Sequence, residues 1–367
     1  MNASAPPSTK AKGSAQPSGA EPRTSAKQAL REGNPQGMVE VLARLRLGRF
    51  SGLFLWAAII VVFAIWVPDT FLTSTTVKSI LSTQAITGVL AIAVLFPLAV
   101  GAFDLSAAQN MGLSALVCGS LMTHGPHLSP ATAIVLTIAM SMAIGAFNGI
   151  LVAGIGISSF IATLGTSSLL LATGAVIGHG SYVGPFPESF ASLTDKEVLG
   201  IPIVAIYLLV FATLSWYVLA RTPIGRRAYA TGANADAARL AGVRTGRSVF
   251  GGMVVCGFGA GIAGVMLASS TNAVNETLGP AYLLPAYAAA FLGSTQLVPG
   301  RFNVWGTVLA IYLLGTGVSG LQLVGGSLWV TDYFNGVALI GAVGTAVLID
   351  KYRGRREKAR TAKQNDE

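Results

Sequence analysis

"AVGAFDLSAAQNMGLSALV" occupies residues 99–117, inside the longest apolar part of the chain. Within it, Asp104, Ser106, Gln109 and Asn110 fall in seven consecutive positions. An ionised Asp at a bilayer centre costs ~3 kcal/mol even on insertion-based scales. Gly101 ends one apolar run and Asp104-Leu-Ser opens a fresh periodic segment. One helical piece is therefore expected to stop here and another to start, with the break turned away from lipid.

On this reading Asp104 caps the second piece, its carboxylate accepting N–H groups near Ser106 and Ala107. The competing reading makes it a proton or cation site, as in ion-coupled secondary transporters, because it is the only charged residue between Lys78 and Glu188. A partial echo favours the structural role: "GAFD" at 101–104 returns as "GAFN" at 145–148, and Asn148 can cap or turn a helix without charge. A second polar group, Ser158, Thr163, Thr166 and Ser168, lies in "SSFIATLGTSS" (158–168). It reads either as helix–helix adhesion or as the lining of a hydrophilic conduit.

The rest of the chain sets these breaks in a membrane protein. Hydrophobic residues make up 52% of 367 and charged residues 11%, with a mean hydropathy of +0.64. So few charges cannot coat a soluble globule, and apolar runs of ~20 residues recur along the chain. The net charge of +9 resides outside those runs, which makes it a topology signal and excludes nucleic acid as the partner. Cys118 and Cys256 lie in apolar segments and read as packing residues.

Twenty-one of the 24 Lys and Arg residues sit in three places: the segment up to Arg49, the loop Arg221–Arg247, and the tail from Lys351. The positive-inside rule puts all three on the cytoplasmic side, so the crossings between them must be even in number. Six candidates precede Arg221 (51–67, 84–101, 105–122, 131–151, 157–178, 201–220) and four follow Arg247 (249–270, 283–297, 303–324, 332–349). The fold class is thus all-α, a polytopic membrane protein of about ten transmembrane helices with discontinuous helices. The second, third and eighth candidates are short or interrupted by Gly or Pro, and re-entrant pieces there would lower the count to eight. Residues 1–50 form an expected disordered, basic cytoplasmic tail, with 38–50 as an amphipathic helix or plain linker and no cleavable signal. Residues 51–350 form the transmembrane domain with a cytoplasmic loop at 221–248, and 351–367 a second basic tail.

That loop, "RTPIGRRAYATGANADAARLAGVRTGRSV" (221–249), carries the most information. Thr222-Pro-Ile-Gly reads as a turn. Asn234 is a good N-cap, Asp236 stands in the first turn, and Gly242 suits a C′ position. The helix between them has about seven residues, too short to persist alone in water, where ~12 are needed. A short capped helix with an Ala-rich face bearing Leu240 needs a surface to dock against. No Gly-Lys pair exists for a phosphate loop, and His124, His127 and His179 lack metal-ligand spacing. No catalytic group, cofactor or metal is expected, so energy comes from an ion gradient or from a partner's ATP hydrolysis.

"GRRAYATGANADAARLAGV" resembles the coupling-helix loop of permease subunits of sugar-type ATP-binding-cassette importers, the ribose/xylose/galactoside branched family. "GAFDLSAAQNMGLSALV" resembles that family's Gly-Gly-Ile-Asp-Leu-Ser-Val-Gly segment, with Phe103 in place of Ile, and "FNGILVAGIGISSFIATLGTSSLLLATG" its Phe-Ile-x-Thr-Leu-Gly segment. "GPAYLLPAYAAAFLGSTQLVPGRFNVWGT" resembles its Gly-Gly-Thr-Ser-Leu loop, and order and spacing hold over about 85–345. The resemblance implies an inner-membrane importer permease for a small polar solute, a monosaccharide by class, with both termini cytoplasmic. It implies a second permease copy, an ATP-binding-cassette ATPase subunit and an extracytoplasmic solute-binding protein as partners. The ATPase-coupling loop would comprise Gly225, Arg226, Gly232, Asn234, Asp236, Ala237, Ala238, Arg239, Leu240 and Gly242. Asp104, Ser106, Asn148, Phe160, Thr163, Gly165 and Thr166 are the candidates for the pathway and its helix breaks.

Overall fold

A computed structural model describes residues 51–124, 127–298, 300–326, 329–341 and 344. The expectations for the tail 1–50, the end of the last candidate span and the tail 351–367 lie outside them. The described chain is a helical bundle: α1 (Ser51–Trp66), α2 (Pro68–Phe71), α3 (Ser74–Ala99), α4 (Ala107–Thr123), α5 (Pro130–Gly149), α6 (Ser159–Gly178), α7 (Glu188–Asp195) and α8 (Ile203–Arg221) come first. Then follow α9 (Pro223–Ala233), α10 (Ala235–Leu240), α11 (Thr245–Thr271), α12 (Leu283–Thr295) and α13 (Val304–Leu323). Residues 329–341 are helical as well. Among the described residues, six helices are long and apolar enough to cross a membrane.

Helix ends follow side-chain chemistry. Thr73 and Ser129 accept N–H groups of Thr76 and Thr132 at the starts of α3 and α5. Asn303 caps α13 through Gly306 N (2.7 Å) while its amide donates to the Gly293 carbonyl (2.9 Å), which fixes the end of α12 to the start of α13. At 26 residues, α3 starts ten residues ahead of the expected span, at the Thr73 cap, and its Lys78 meets Glu197 at 2.7 Å on the β1–β2 hairpin (Glu197–Val198, Ile201–Pro202). α5 overruns its expected end through a π-helical stretch, Ile150–Ile155, closed by Gly156 at φ +88°. α4 and α12, with 17 and 13 residues, are ~26 and ~20 Å long, short of the ~30 Å hydrocarbon core.

α3 and α11 form the centre. Residues 85–100 of α3 and its end are buried as a continuous run, and α11 packs on α3, α4, α5 and α7. Gly257 faces Gly145, where a Cβ on Gly257 would stand 3.2 Å from the Gly145 Cα, so α5 and α11 approach at backbone distance.

The bundle's two ends can be told apart by what touches what. Gly101, Gly232, Tyr229 and Phe302 meet at one end. Lys78 with Glu197, and Val183 with Val274, meet at the other. This alternation agrees with helices that traverse the bundle in turn, and it places Arg301 at the end that carries the basic loop 221–247.

Candidate functional site

The break at 100–106 is held by side chains from three other helices. The N–H groups of four consecutive residues reach side-chain oxygens: Phe103 to Ser159 Oγ (3.1 Å), Asp104 to Tyr287 Oη (3.0 Å), Leu105 to Thr163 Oγ1 (3.0 Å), and Ser106 to Asp104 Oδ1 (3.1 Å). Tyr287 also donates its hydroxyl to the Asp104 carbonyl at 3.0 Å. Buried non-helical backbone needs this satisfaction, since an unpaired buried amide costs ~1–3 kcal/mol.

Asp104 is 2% exposed, and its Oδ1 accepts the Ser106 hydroxyl at 2.6 Å. The Ser106 oxygen in turn accepts from Asn148 Nδ2 (2.7 Å), and Asn148 Oδ1 accepts from Thr166 (2.7 Å). One chain of hydrogen bonds thus joins the break to α5 and α6. Two expectations change here. The residue at the N-cap of α4 is Ser106, whose side chain makes no cap bond, and the Ala107 N–H turns to the Asp104 backbone carbonyl; the Asp104 carboxylate closes a tight turn onto Ser106 instead. Asn148 caps nothing: it lies within α5, fully buried, and bridges Ser106 to Thr166. Gln109 and Asn110 complete the answer to the polar run, with amide donors on the Glu276 carbonyl (3.3 Å) and the Ser141 carbonyl (3.2 Å).

The pathway candidates do not all gather. Asp104, Ser106, Asn148, Thr163 and Thr166 form the buried network. Phe160 is 54% exposed on another face of α6, and a Cβ at Gly165 would meet nothing within 4 Å. Ser158 makes no side-chain cap bond, and Ser168 bonds only its own helix. The inward stripe is Ser159, Thr163 and Thr166, at i, i+4 and i+7; Ser159 and Tyr287 were missed, although that spacing marks Ser159. Phe103 itself is 39% exposed and stacks with Tyr287 and Phe291, at centroid distances of 6.3 and 6.5 Å.

The loop after α8 is more ordered than expected. Thr222-Pro-Ile-Gly is the start of α9, with Pro223 in its first turn where a missing N–H costs nothing. Gly225 and Gly232 are contact glycines: a Cβ at 225 would collide with the Leu219 backbone, and one at 232 would stand 3.0 Å from Gly101 N. α9 thereby rests on the end of α3, next to the break. Its Tyr229 donates to the Phe302 carbonyl (2.6 Å), and Arg301 covers the Tyr229 ring at 3.6 Å. Burial pushes the Tyr229 phenol up, against the opposing pull of that guanidinium.

α10 has six residues and a cap at each end. Asn234 Oδ1 accepts from Ala237 N at 2.9 Å. Beyond Leu240, Gly242 N bonds Arg239 O and Val243 N bonds Ala238 O, both at 2.9 Å, with Gly242 at φ +82°. This is a Schellman closure, and the left-handed φ is what requires glycine there. Asp236 and Arg239 pair loosely at 4.0 Å, and Arg226 stands exposed on α9. One expectation is corrected: Ala238, counted in the Ala-rich face that needs a docking surface, is 5% exposed and packs inward. The outward residue is Leu240, 92% exposed.

The sequence comparisons agree with this architecture. A family model described as branched-chain amino acid transport system / permease component matches residues 76–343. The D-allose transport system permease protein AlsC of Escherichia coli (strain K12) is 28% identical over 305 residues, 83% of this chain and 91% of that protein. The ribose import permease protein RbsC of Bacillus subtilis (strain 168) is 30% identical over 308 residues, 83% and 92% of the two chains. The autoinducer 2 import system permease protein LsrD of Yersinia enterocolitica is 28% identical over 277 residues, 72% and 82%. No solved structure matches the chain. With the match covering most of its helices, the chain belongs to the branched-chain amino acid transport system / permease component family and is a multi-pass membrane permease subunit of an ATP-binding-cassette importer.

Proposed function

We propose that this permease carries a small polar solute, a monosaccharide or a compound of similar size and polarity, through the cytoplasmic membrane. Two copies, or this chain and a paired permease, enclose one path; an external binding protein delivers the solute and an ATPase docks below. The observation that carries the reading is α10, a six-residue helix capped at both ends with a bare Leu240. The named cargoes of its relatives, allose, ribose and autoinducer 2, supply the solute class. The break at 100–106 belongs on the path, because it is held among α5, α6 and α12, meets the coupling element at Gly232, and leaves Phe103 exposed.

Coupling then follows a short mechanical route. Movement of α10 passes to α9, and α9 touches the break through Gly232–Gly101 and the loop before α13 through Tyr229–Phe302. The ion-coupled alternative loses ground because the Asp104 carboxyl group is already committed to Ser106.

Two measurements test this. In cells or vesicles holding the complete importer, uptake of a labelled monosaccharide should require ATP and the binding protein, and should persist when ionophores collapse proton and sodium gradients. Uptake that follows an ion gradient and ignores ATP overturns the reading. For topology, ten crossings with both ends cytoplasmic predict that Lys196→Cys labels from outside and Ala235→Cys only from inside, in a chain lacking Cys118 and Cys256. Labelling of position 235 from outside in intact cells would invert the scheme.

A further inference from the structure

We infer that the permease holds an anionic phospholipid in a basic-mouthed, apolar-floored cavity beside its coupling loop. The cavity, of about 880 Å³, lies between the ends of α3 and α8, the face of α9 and the first turns of α11. Of the six basic residues in the loop, Arg227, Arg244 and Arg247 line it. Their guanidinium groups have no ion-pair or hydrogen-bond partner among the described residues. The loop's one acid, Asp236, instead faces Arg239, and Arg221 lies over the Trp216 ring.

The floor is of the opposite character: Phe96, Val218 and Val255 line it, and no carboxylate does. Val255 is ten residues into α11, so the cavity reaches ~15 Å down that helix from the loop. A ligand that fits carries negative charge at the mouth and hydrocarbon below, which is the chemistry of a phospholipid at the interface. Basic pockets between spans at the cytoplasmic surface hold such headgroups, each Lys or Arg adding attraction to an anionic leaflet. Arginine suits phosphate through its planar fork of donors. Charge argues against the chain's own ends as occupants. Residues 1–50 carry eight basic and three acidic side chains, and 351–367 seven and three. The inference requires membrane embedding only and does not depend on the cargo proposed above.

The test is retention of lipid by the full-length chain in mixed micelles of phosphatidylglycerol and phosphatidylcholine with matched chains, read by native mass spectrometry. Wild type should retain phosphatidylglycerol, and Arg227→Gln, Arg244→Gln and Arg247→Gln together should lower retention roughly tenfold or more. The control, Arg221→Gln, Arg226→Gln and Arg239→Gln, removes equal charge outside the cavity and should leave retention unchanged. Gly251→Leu tests the hydrocarbon part: Gly251 lines the cavity and a Cβ there meets nothing within 4 Å, so a side chain can start from this position into the cavity. It should reduce retention of the long-chain lipid while the protein stays folded. Equal loss in both arginine triples overturns the inference, as diffuse charge would then suffice. So does undiminished retention in Gly251→Leu, which also decides the matter should the cavity triple not fold. Displacement of phosphatidylglycerol by millimolar inorganic phosphate, with Gly251→Leu without effect, would assign the arginines to free phosphate. Expulsion of the lipid when the ATPase binds would make the cavity part of the docking surface and overturn it likewise.

Discussion

Leu240→Asp should abolish uptake and release the ATPase while the permease remains inserted and folded. Leu240 is 92% exposed and supports nothing in its own chain, so its loss leaves the bundle intact. On the proposed docking the same side chain would be covered, and burying a Leu is worth ~1.5–3 kcal/mol. Removing that contact weakens association by about ten- to a hundredfold, before the cost of desolvating the new carboxylate is added. Asn234→Ala acts on the same element more gently. It removes the bond to Ala237 N, a cap worth ~1 kcal/mol, and should weaken docking by about fivefold. Co-purification of the ATPase with each variant, together with uptake, is the measurement. Undiminished co-purification and uptake with Asp at 240 would show that α10 is not the docking element. Ala238 is unsuited to this experiment: it is buried, so a bulky residue there would displace α10 from the permease itself.

Much of this was legible in the sequence because it rests on signals with one physical cause. Apolar length gives the membrane-spanning helices. Asn234 and Gly242 bracket α10 because one residue must accept an N–H and the other must adopt positive φ. What could not be read was direction around a helix axis. Ala237 and Ala238 look alike in sequence, yet the first is exposed and the second buried, a difference set by how α10 packs on α9 and the start of α11. Asn148 has the composition of a cap, but its position opposite Ser106 and Thr166 is a tertiary fact. Tyr287 reaches Asp104 across 183 residues, and no local pattern signals that contact.

Asp104→Asn should preserve most transport, and Asp104→Leu should lose most folded protein. The carboxyl group does three jobs in the structure: Oδ1 accepts the Ser106 N–H and the Ser106 hydroxyl, and the group also hydrogen-bonds the Cys256 side chain. An Asn carbonyl oxygen in the same place accepts both, so the turn and the bridge through Asn148 to Thr166 persist. Its amide replaces Oδ2 in a site 2% exposed, where the Cys256 sulfur is only a weak acceptor, which costs ~1 kcal/mol. Leu accepts nothing. It strands the Ser106 N–H in the bundle at ~1–3 kcal/mol and unseats the hydroxyl that orients Asn148. The combined cost, ~2–5 kcal/mol, rivals the whole stability margin of many folds. The break would then have to re-form its bonds or leave buried backbone groups unpaired, and neither keeps Phe103 where it is. Folded yield and thermal stability in detergent, with uptake measured per folded molecule, separate the outcomes. An Asn variant that folds and expresses normally yet transports nothing would assign the carboxylate to the transport cycle itself and restore the ion-coupled reading.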